Sequence, residues 1–442
     1  MKLWPTGGLW RHPDFVKLWS AETVSQFGTQ FTQLALPLVA IDVLHVSAFQ
    51  VAALVTVEFL PFLLVTLPAG VWVDRLRRRP ILVLGDLSRA VLLGSIPVAY
   101  WLDALTIWQL YAVGFVVGIA TVFFDVAYQS YLPSIVERTQ LIDGNAKLEI
   151  SRATAQLGGP GLAGILINAF KAPAAVAIDA VSYLGSALFI FSIRKSEQPP
   201  ARDNVEGTRM RDELREGLRY VFRHPFLKNI AACTALFNLF GSLGFAVLLV
   251  FARRDLGMSP LAIGLAFTLS NIGPLIAAFN ANRISARFGV GRTIIAAAIL
   301  AGPAFLLVPF APEGNAALFL LVPAFVIGGS ANVIYNVTQI SLRQAITPAR
   351  MQGRMNSVMR FIVWGTIPLG TFLGGVLASE IGVQETLIVS GVASCLPFLP
   401  VLFSPVRELK EMPEPVVDEA AAVLGPLAAD VEAVLPTQHQ GV

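Results

Sequence analysis

The sequence predicts an all-α membrane protein, with twelve transmembrane helices arranged as two pseudo-symmetric six-helix bundles. Three observations carry that prediction. Of 442 residues, 55% are hydrophobic and only 14% charged, and mean hydropathy is +0.67; a soluble globular chain carries roughly 25% charged residues. The apolar residues fall into twelve runs, each near the length of about 20 residues that a helix needs to cross hydrocarbon. The chain also repeats itself at an offset of 211–212 residues.

The runs lie near 15–43, 48–73, 81–102, 106–131, 142–169, 174–193, 229–251, 260–282, 292–311, 315–340, 352–379 and 383–403. The first is too long for a removable signal sequence and has no small-residue cleavage site, so it is expected to stay as the first span. Internal glycines and prolines do not disqualify a run, because membrane helices tolerate both. The expected organisation is therefore an N-terminal stretch 1–14, a first bundle 15–193, a linker 194–228, a second bundle 229–403 and a tail 404–442. The linker is polar and basic, and the spacing of Leu214, Leu218, Val221 and Phe222 predicts a surface helix over 212–222. The tail, with Pro405, Pro413, Pro415, Pro426 and Pro436 and an acidic excess, is expected to be largely disordered.

Charge sets the orientation. Asp74, Arg75, Arg77, Arg78 and Arg79 crowd the hinge between the second and third runs and cannot lie in hydrocarbon. With the N-terminus in the cytoplasm, every Lys and Arg except Lys171, Arg253 and Arg254 falls on the inner side or at an inner helix end. This positive-inside pattern places both termini in the cytoplasm of a multi-pass protein of the cell membrane. The repeat agrees: Arg11-His12-Pro13 echoes Arg223-His224-Pro225, and Gly118, Asp125, Asn145 and Gly164 fall on Gly329, Asn336, Asn356 and Gly375. An even number of spans per copy makes the halves parallel repeats about an axis normal to the membrane.

Polar residues inside the runs are the candidate functional groups. Glu22, Gln26, Gln30 and Gln33 share one face of span one, and Asn332, Tyr335, Asn336 and Gln339 form a matching stripe on span ten. Such stripes require either partner helices or a wet cavity; lining a substrate cavity and ordinary interhelical bonding are both open readings. Glu58 lies near mid-membrane in span two, where a carboxylate is costly to ionise and able to take up a proton. Glu58 and Glu22 are the proton-coupling candidates, with a structurally satisfied acid as the alternative for each. Asp42 lies nearer the outer surface, Glu149 and Arg152 are spaced to pair with each other, and Asp179 is undecided.

Several functions are excluded. The chain has no Gly-x-x-x-x-Gly-Lys-Ser/Thr phosphate loop, and His12, His45, His224 and His439 lie at helix ends or in the tail. Cys233 and Cys395 sit in apolar runs as packing residues. No metal or other cofactor is expected, and a net charge of +3 gives no reason to expect nucleic acid. The expected partners are the lipid bilayer, a small-molecule substrate and protons, with the chain acting as a monomer.

Two motifs resemble a known family. Gly70-x-x-x-Asp74-Arg75-x-x-Arg78-Arg79 is similar to the loop between the second and third helices of the major facilitator superfamily. Gly158-Gly159-Pro160-Gly161-Leu162-Ala163-Gly164 is similar to the span-five motif of that superfamily's drug–proton antiporters, and Phe-Phe-Asp-Val-Ala-Tyr at 123–128 resembles its macrolide and siderophore exporter branch. The likeness covers about residues 10–405. It implies the major facilitator fold, no enzymatic activity, and export of a hydrophobic or amphipathic small molecule in exchange for protons. A proton-coupled nutrient importer is the alternative, and a membrane-embedded enzyme or receptor a remote one. It also implies a conformational charge lock of Asp74, Arg78 and Asp125, and a helix-packing role for Gly158, Gly159, Pro160 and Gly164. The sequence departs from the pattern at Arg77, where a glycine is usual, and in span four, which has no arginine. The sparsity of buried basic residues argues against strongly anionic substrates.

Overall fold

A computed structural model describes residues 8–137, 140–195 and 210–413, and the described residues are almost entirely helical. The long helices are α1 (Pro13–Leu38), α2 (Ala48–Arg75), α3 (Arg78–Trp101), α4 (Ile107–Ile135), α5 (Leu141–Phe170) and α6 (Ala172–Phe191), then the linker helix α7 (Met210–Arg223). The second half follows with α8 (Leu227–Val250), α9 (Pro260–Ser270), α10 (Ile272–Phe288), α11 (Val290–Leu306), α12 (Leu318–Ala345), α13 (Ala349–Glu380), α14 (Val383–Ala393) and α15 (Leu399–Leu402). Among the described residues, nine helical segments are long and apolar enough to cross a membrane. Three further rods lie beside them and fall short for reasons visible in their residues. α1 carries the Glu22–Gln33 stripe, α5 opens with Asp143, Lys147, Glu149 and Arg152, and the last rod breaks at Pro397 between α14 and α15.

The internal repeat is written in the backbone as well as the sequence. α1 ends in a π-helical turn, Val39–Val43, and α8 ends in another, Phe251–Asp255. In both, the chain closes the same way: Leu44 and Leu256 donate to Val39 and Phe251, and Val46 and Met258 donate to Ala40 and Ala252. The next helix begins in the same register, with Ser47 capping α2 through the Gln50 N–H and Ser259 capping α9 through the Ala262 N–H.

α1 packs on α5 and α6, α3 on α4 and α6, and α2 on α4; α8, α11, α12, α13 and α14 form the corresponding second group. Contacts between the groups run along α2 with α13 and α5 with α9. Large apolar residues cover the outside, among them Leu84, Val91, Val98, Phe279 and Phe319, as a lipid-facing surface requires. Trp101 and Trp108 stand exposed near one end and Trp72 near the other, where aromatic rings suit the headgroup region. α7 lies against α13, with Glu216 paired to Arg354 at 2.6 Å and Gly217 against the Arg354 backbone. Residues 414–442 lie outside the described residues, as do 196–209.

One charge sits elsewhere than the orientation count assigns it. That count takes Arg89 as belonging to an inner helix end; it is instead buried near the middle of α3, 3% exposed.

Candidate functional site

Hydrogen bonds and ion pairs between the two groups of helices gather toward one end, here the sealed end. The sealed end is the one where α2, α9 and α14 begin; the opposite end carries Arg77, Arg78 and Arg79 and is called the basic end. Near the sealed end, Arg253 Nε lies 2.9 Å from each Asp42 carboxylate oxygen, joining the two π-turns across the repeat axis. Arg254 adds bonds to the carbonyls of Ile41 and Val46 at 3.4 and 2.7 Å. Along the α2–α13 seam, Thr56 and Thr371 hydroxyls meet at 2.8 Å, and Phe49 packs edge-on to Phe372.

The α5–α9 seam is made by the Gly158–Gly164 stretch. A side chain at Gly164 would run into the backbone of Pro260 and Gly264, and one at Gly264 would run into Pro160 and Gly164. Only glycine at both positions allows this approach of the two backbones. Pro160 has no N–H, so the carbonyl of Gln156 loses its partner within the helix. Asn271, between α9 and α10, donates to that carbonyl at 2.9 Å, and Thr268 accepts from the Gly161 N–H at 2.8 Å. The proline thus turns a broken helical bond into one between the halves. Gly159 faces the Gln30 side chain on α1, while a Cβ at Gly158 would meet open space.

Inside the seal, three cavities follow one another toward the basic end. The first, about 310 Å³, holds Gln30, Gln33 and Glu58 among Phe59, Phe245 and Phe267. Phe59 and Phe62, with Phe62 stacked on Trp364 at 4.6 Å, form an aromatic row between it and the second. The second, about 360 Å³, lies between α2, α4 and α13 and includes Thr66, Gln129 and Arg360. The third, about 430 Å³, shares Asn356, Arg360 and Trp364 with it and reaches Asn332, Tyr335, Asn336, Gln339 and Arg343 on α12. Both polar stripes therefore reach the hollow between the halves, and both also bond along their own helices. Gln26 donates to Glu22 at 2.7 Å, Asn336 to Asn332 at 2.5 Å and Gln339 to Asn336 at 3.3 Å. Tyr335 turns instead toward α8, where its hydroxyl meets Thr234 at 2.8 Å.

A buried ionic cluster stands behind the first-half wall. Arg89 pairs with Asp86 at 2.5 Å, and its guanidinium lies between the rings of Phe124 and Tyr183 at 4.2 and 4.3 Å. Asp179 is fully buried and accepts from Thr32 and Ser182 hydroxyls. Gly28 makes room for it: a side chain there would strike Asp179 and Ser182. Glu22 and Asp125 feel the Arg89 charge as well, with Asp125 exposed and also in the fields of Arg152 and Arg360. Of the expected lock, the Asp74 side chain lies outside the described residues, and Asp125 lies in the fields of Arg89, Arg152 and Arg360. Glu149 and Arg152 pair at 2.9 Å.

Sequence reasoning passed over Asp86, Arg89, Arg343 and Arg360, and it left Asp42 and Arg253 apart. The signal was present for the first two, since an acid and an arginine at i and i+3 inside an apolar run are a buried pair in waiting. The expectation of few buried basic residues needs correction in the same way: Arg343 and Arg360 line the third cavity, and Arg343 is 8% exposed.

The sequence profile of the family described as transmembrane secretion effector matches residues 8–433. The chain belongs to this family of major facilitator transporters. It is 26% identical over 410 residues to the multidrug efflux pump Tap of Mycolicibacterium fortuitum, covering 90% of this chain and 97% of the pump. It is 21% identical over 401 residues to macrolide efflux protein A of Streptococcus pyogenes, covering 89% and 97%. A bacterial homologue of the iron transporter ferroportin, solved in an inward-facing state, superposes with a TM-score of 0.71 at 18% identity, over 90% of this chain and 99% of that one. That likeness concerns the fold. The protein is thus a multi-pass membrane transporter and not an enzyme.

Proposed function

We propose that this transporter exports a hydrophobic or amphipathic small molecule by alternating access, in exchange for protons. The observation that carries the reading is an asymmetry: paired charges and glycine seams join the halves toward one end, while cavities between the halves follow one another toward the basic end. With positive-inside charge, the basic end and both termini face the cytoplasm, all twelve rods cross the bilayer, and the hollow is the state that collects substrate from inside. The names of the relatives, a multidrug pump and a macrolide pump, favour outward movement.

Substrate rests on the cavity walls, where aromatic rings give non-directional affinity and Gln26, Gln30, Gln33, Asn332, Asn336 and Gln339 give a few directed bonds. Protons ride on the first-half carboxylates. Glu58 faces the first cavity, and Glu22 links the hollow to the Arg89 cluster. Asp179 joins them as a candidate, because its hydroxyl partners can donate to a carboxylate or accept from a carboxylic acid. Asp74, Arg78 and Asp125 act in the opposite state, when the basic end closes. The test is accumulation in everted membrane vesicles across a panel of toxic compounds. Uptake driven by an acid interior and abolished by an uncoupler supports the reading; uptake only into right-side-out vesicles contradicts it.

A further inference from the structure

The third cavity has a charge that drug export does not require. Arg343 on α12 and Arg360 on α13 both line it, together with Asn332, Asn336, Gln339 and Asn356, and no carboxylate is among the lining residues described. Arg343 is more than nine-tenths buried, yet its Nε has no hydrogen-bond partner among the described residues, and its one side-chain bond is a long one, 3.4 Å to Asn356 Oδ1. A guanidinium held out of water costs several kcal/mol unless an anion compensates it. Among the described residues none supplies that anion at hydrogen-bond distance. Asp125 acts on Arg360 without a described ion-pair contact, and Asp86 and Asp179 are grouped about Arg89.

The surroundings fit one kind of ligand. Arg343 and Arg360 present planar donor forks, the geometry that holds a carboxylate or phosphate by two parallel bonds. The amides of α12 and α13 stand beside them as further donors. Phe237, Ile340, Met359, Val363 and Trp364 complete the wall with apolar surface. We infer that the third cavity is an oxyanion subsite, and that the substrate is an amphipathic organic acid seated with its carboxylate or phosphate between Arg343 and Arg360. This rests on the export reading for its place in a transport cycle, and on the two arginines alone for the binding.

The experiment uses full-length purified protein in nanodiscs, titrated by calorimetry with three probes of one shape: 1-naphthaleneacetate, 1-naphthyl phosphate and 1-naphthylmethylamine. Binding of the acid or the phosphate in preference to the amine is the expected result, and which of the two binds tighter names the oxyanion. Arg343→Gln and Arg360→Gln should each weaken the acid about tenfold or more, the loss of one charge-assisted bond. Because Arg343 is buried and its replacement can unfold the protein, Arg360→Gln, at a side chain open to the hollow, carries the test alone if needed. Preference for the amine, no binding of either oxyanion, or unchanged affinity in a folded Arg360→Gln protein overturns the inference. If arginine-dependent acid binding holds but everted vesicles accumulate nothing, the export reading fails and the subsite stands.

Discussion

Removing the charge from Asp42 should unlatch the sealed end. Both Asp42 oxygens lie 2.9 Å from Arg253 Nε, and the side chains are 30% and 31% exposed. An ion pair in bulk water is worth almost nothing and a shielded charge-assisted bond about 1.5–3 kcal/mol, so with this degree of exposure about 1 kcal/mol is reasonable. Asp42→Asn should then raise the population with the sealed end open by about fivefold. The assay is the rate at which a membrane-impermeant maleimide, applied from the sealed side, labels a cysteine placed at Phe245 in the first cavity, with Cys233 and Cys395 replaced. Exchanging the charges in an Asp42→Arg, Arg253→Asp double variant should bring the rate back. A folded Asp42→Asn protein labelled at the original rate, or a double variant no slower than the single one, would refute the reasoning.

The glycine seam gives graded expectations. Gly158→Ala, into open space, should stay within about 0.5 kcal/mol of the parent in thermal stability, whereas Gly164→Ala should cost about 1–3 kcal/mol or part the seam, because the obstacle is backbone. Gly28→Ala should remove transport by displacing Asp179, in protein that still inserts in the membrane as judged by surface labelling. Glu58→Gln should keep substrate binding and lose acid-driven accumulation in vesicles; normal accumulation would take Glu58 out of the coupling role. Asn271→Ala, which leaves the Gln156 carbonyl without its donor, should speed labelling from the sealed side about as much as Asp42→Asn does.

Much of the fold was legible because the bilayer makes simple demands: helices, a fixed length and basic loops. The same demands explain what was hidden. Hydropathy averages over a window, so Asp86 and Arg89 vanish into the apolar run that carries them, and their pairing appears only once Phe124 and Tyr183 fold over the guanidinium. Arg253 and Arg254 read as exceptions to a charge rule; their use depends on Asp42, far away in sequence and adjacent only through the repeat axis. The Gly158–Gly164 motif was visible as a motif, yet its partner is Gly264, which carries no signature of its own. The α12 stripe was legible as a polar face, but the basic character of its cavity comes from Arg360 on another helix.

The account stands on a reciprocal movement of the two halves, and distances between spin labels measure it directly. One pair belongs at positions 77 and 353 on the basic end and another at 45 and 257 on the sealed end, all exposed. As pH or a bound oxyanion shifts the populations, the first distance should shorten while the second lengthens, with the same midpoint. Two distances that grow or shrink together, or stay fixed while transport proceeds, would contradict it.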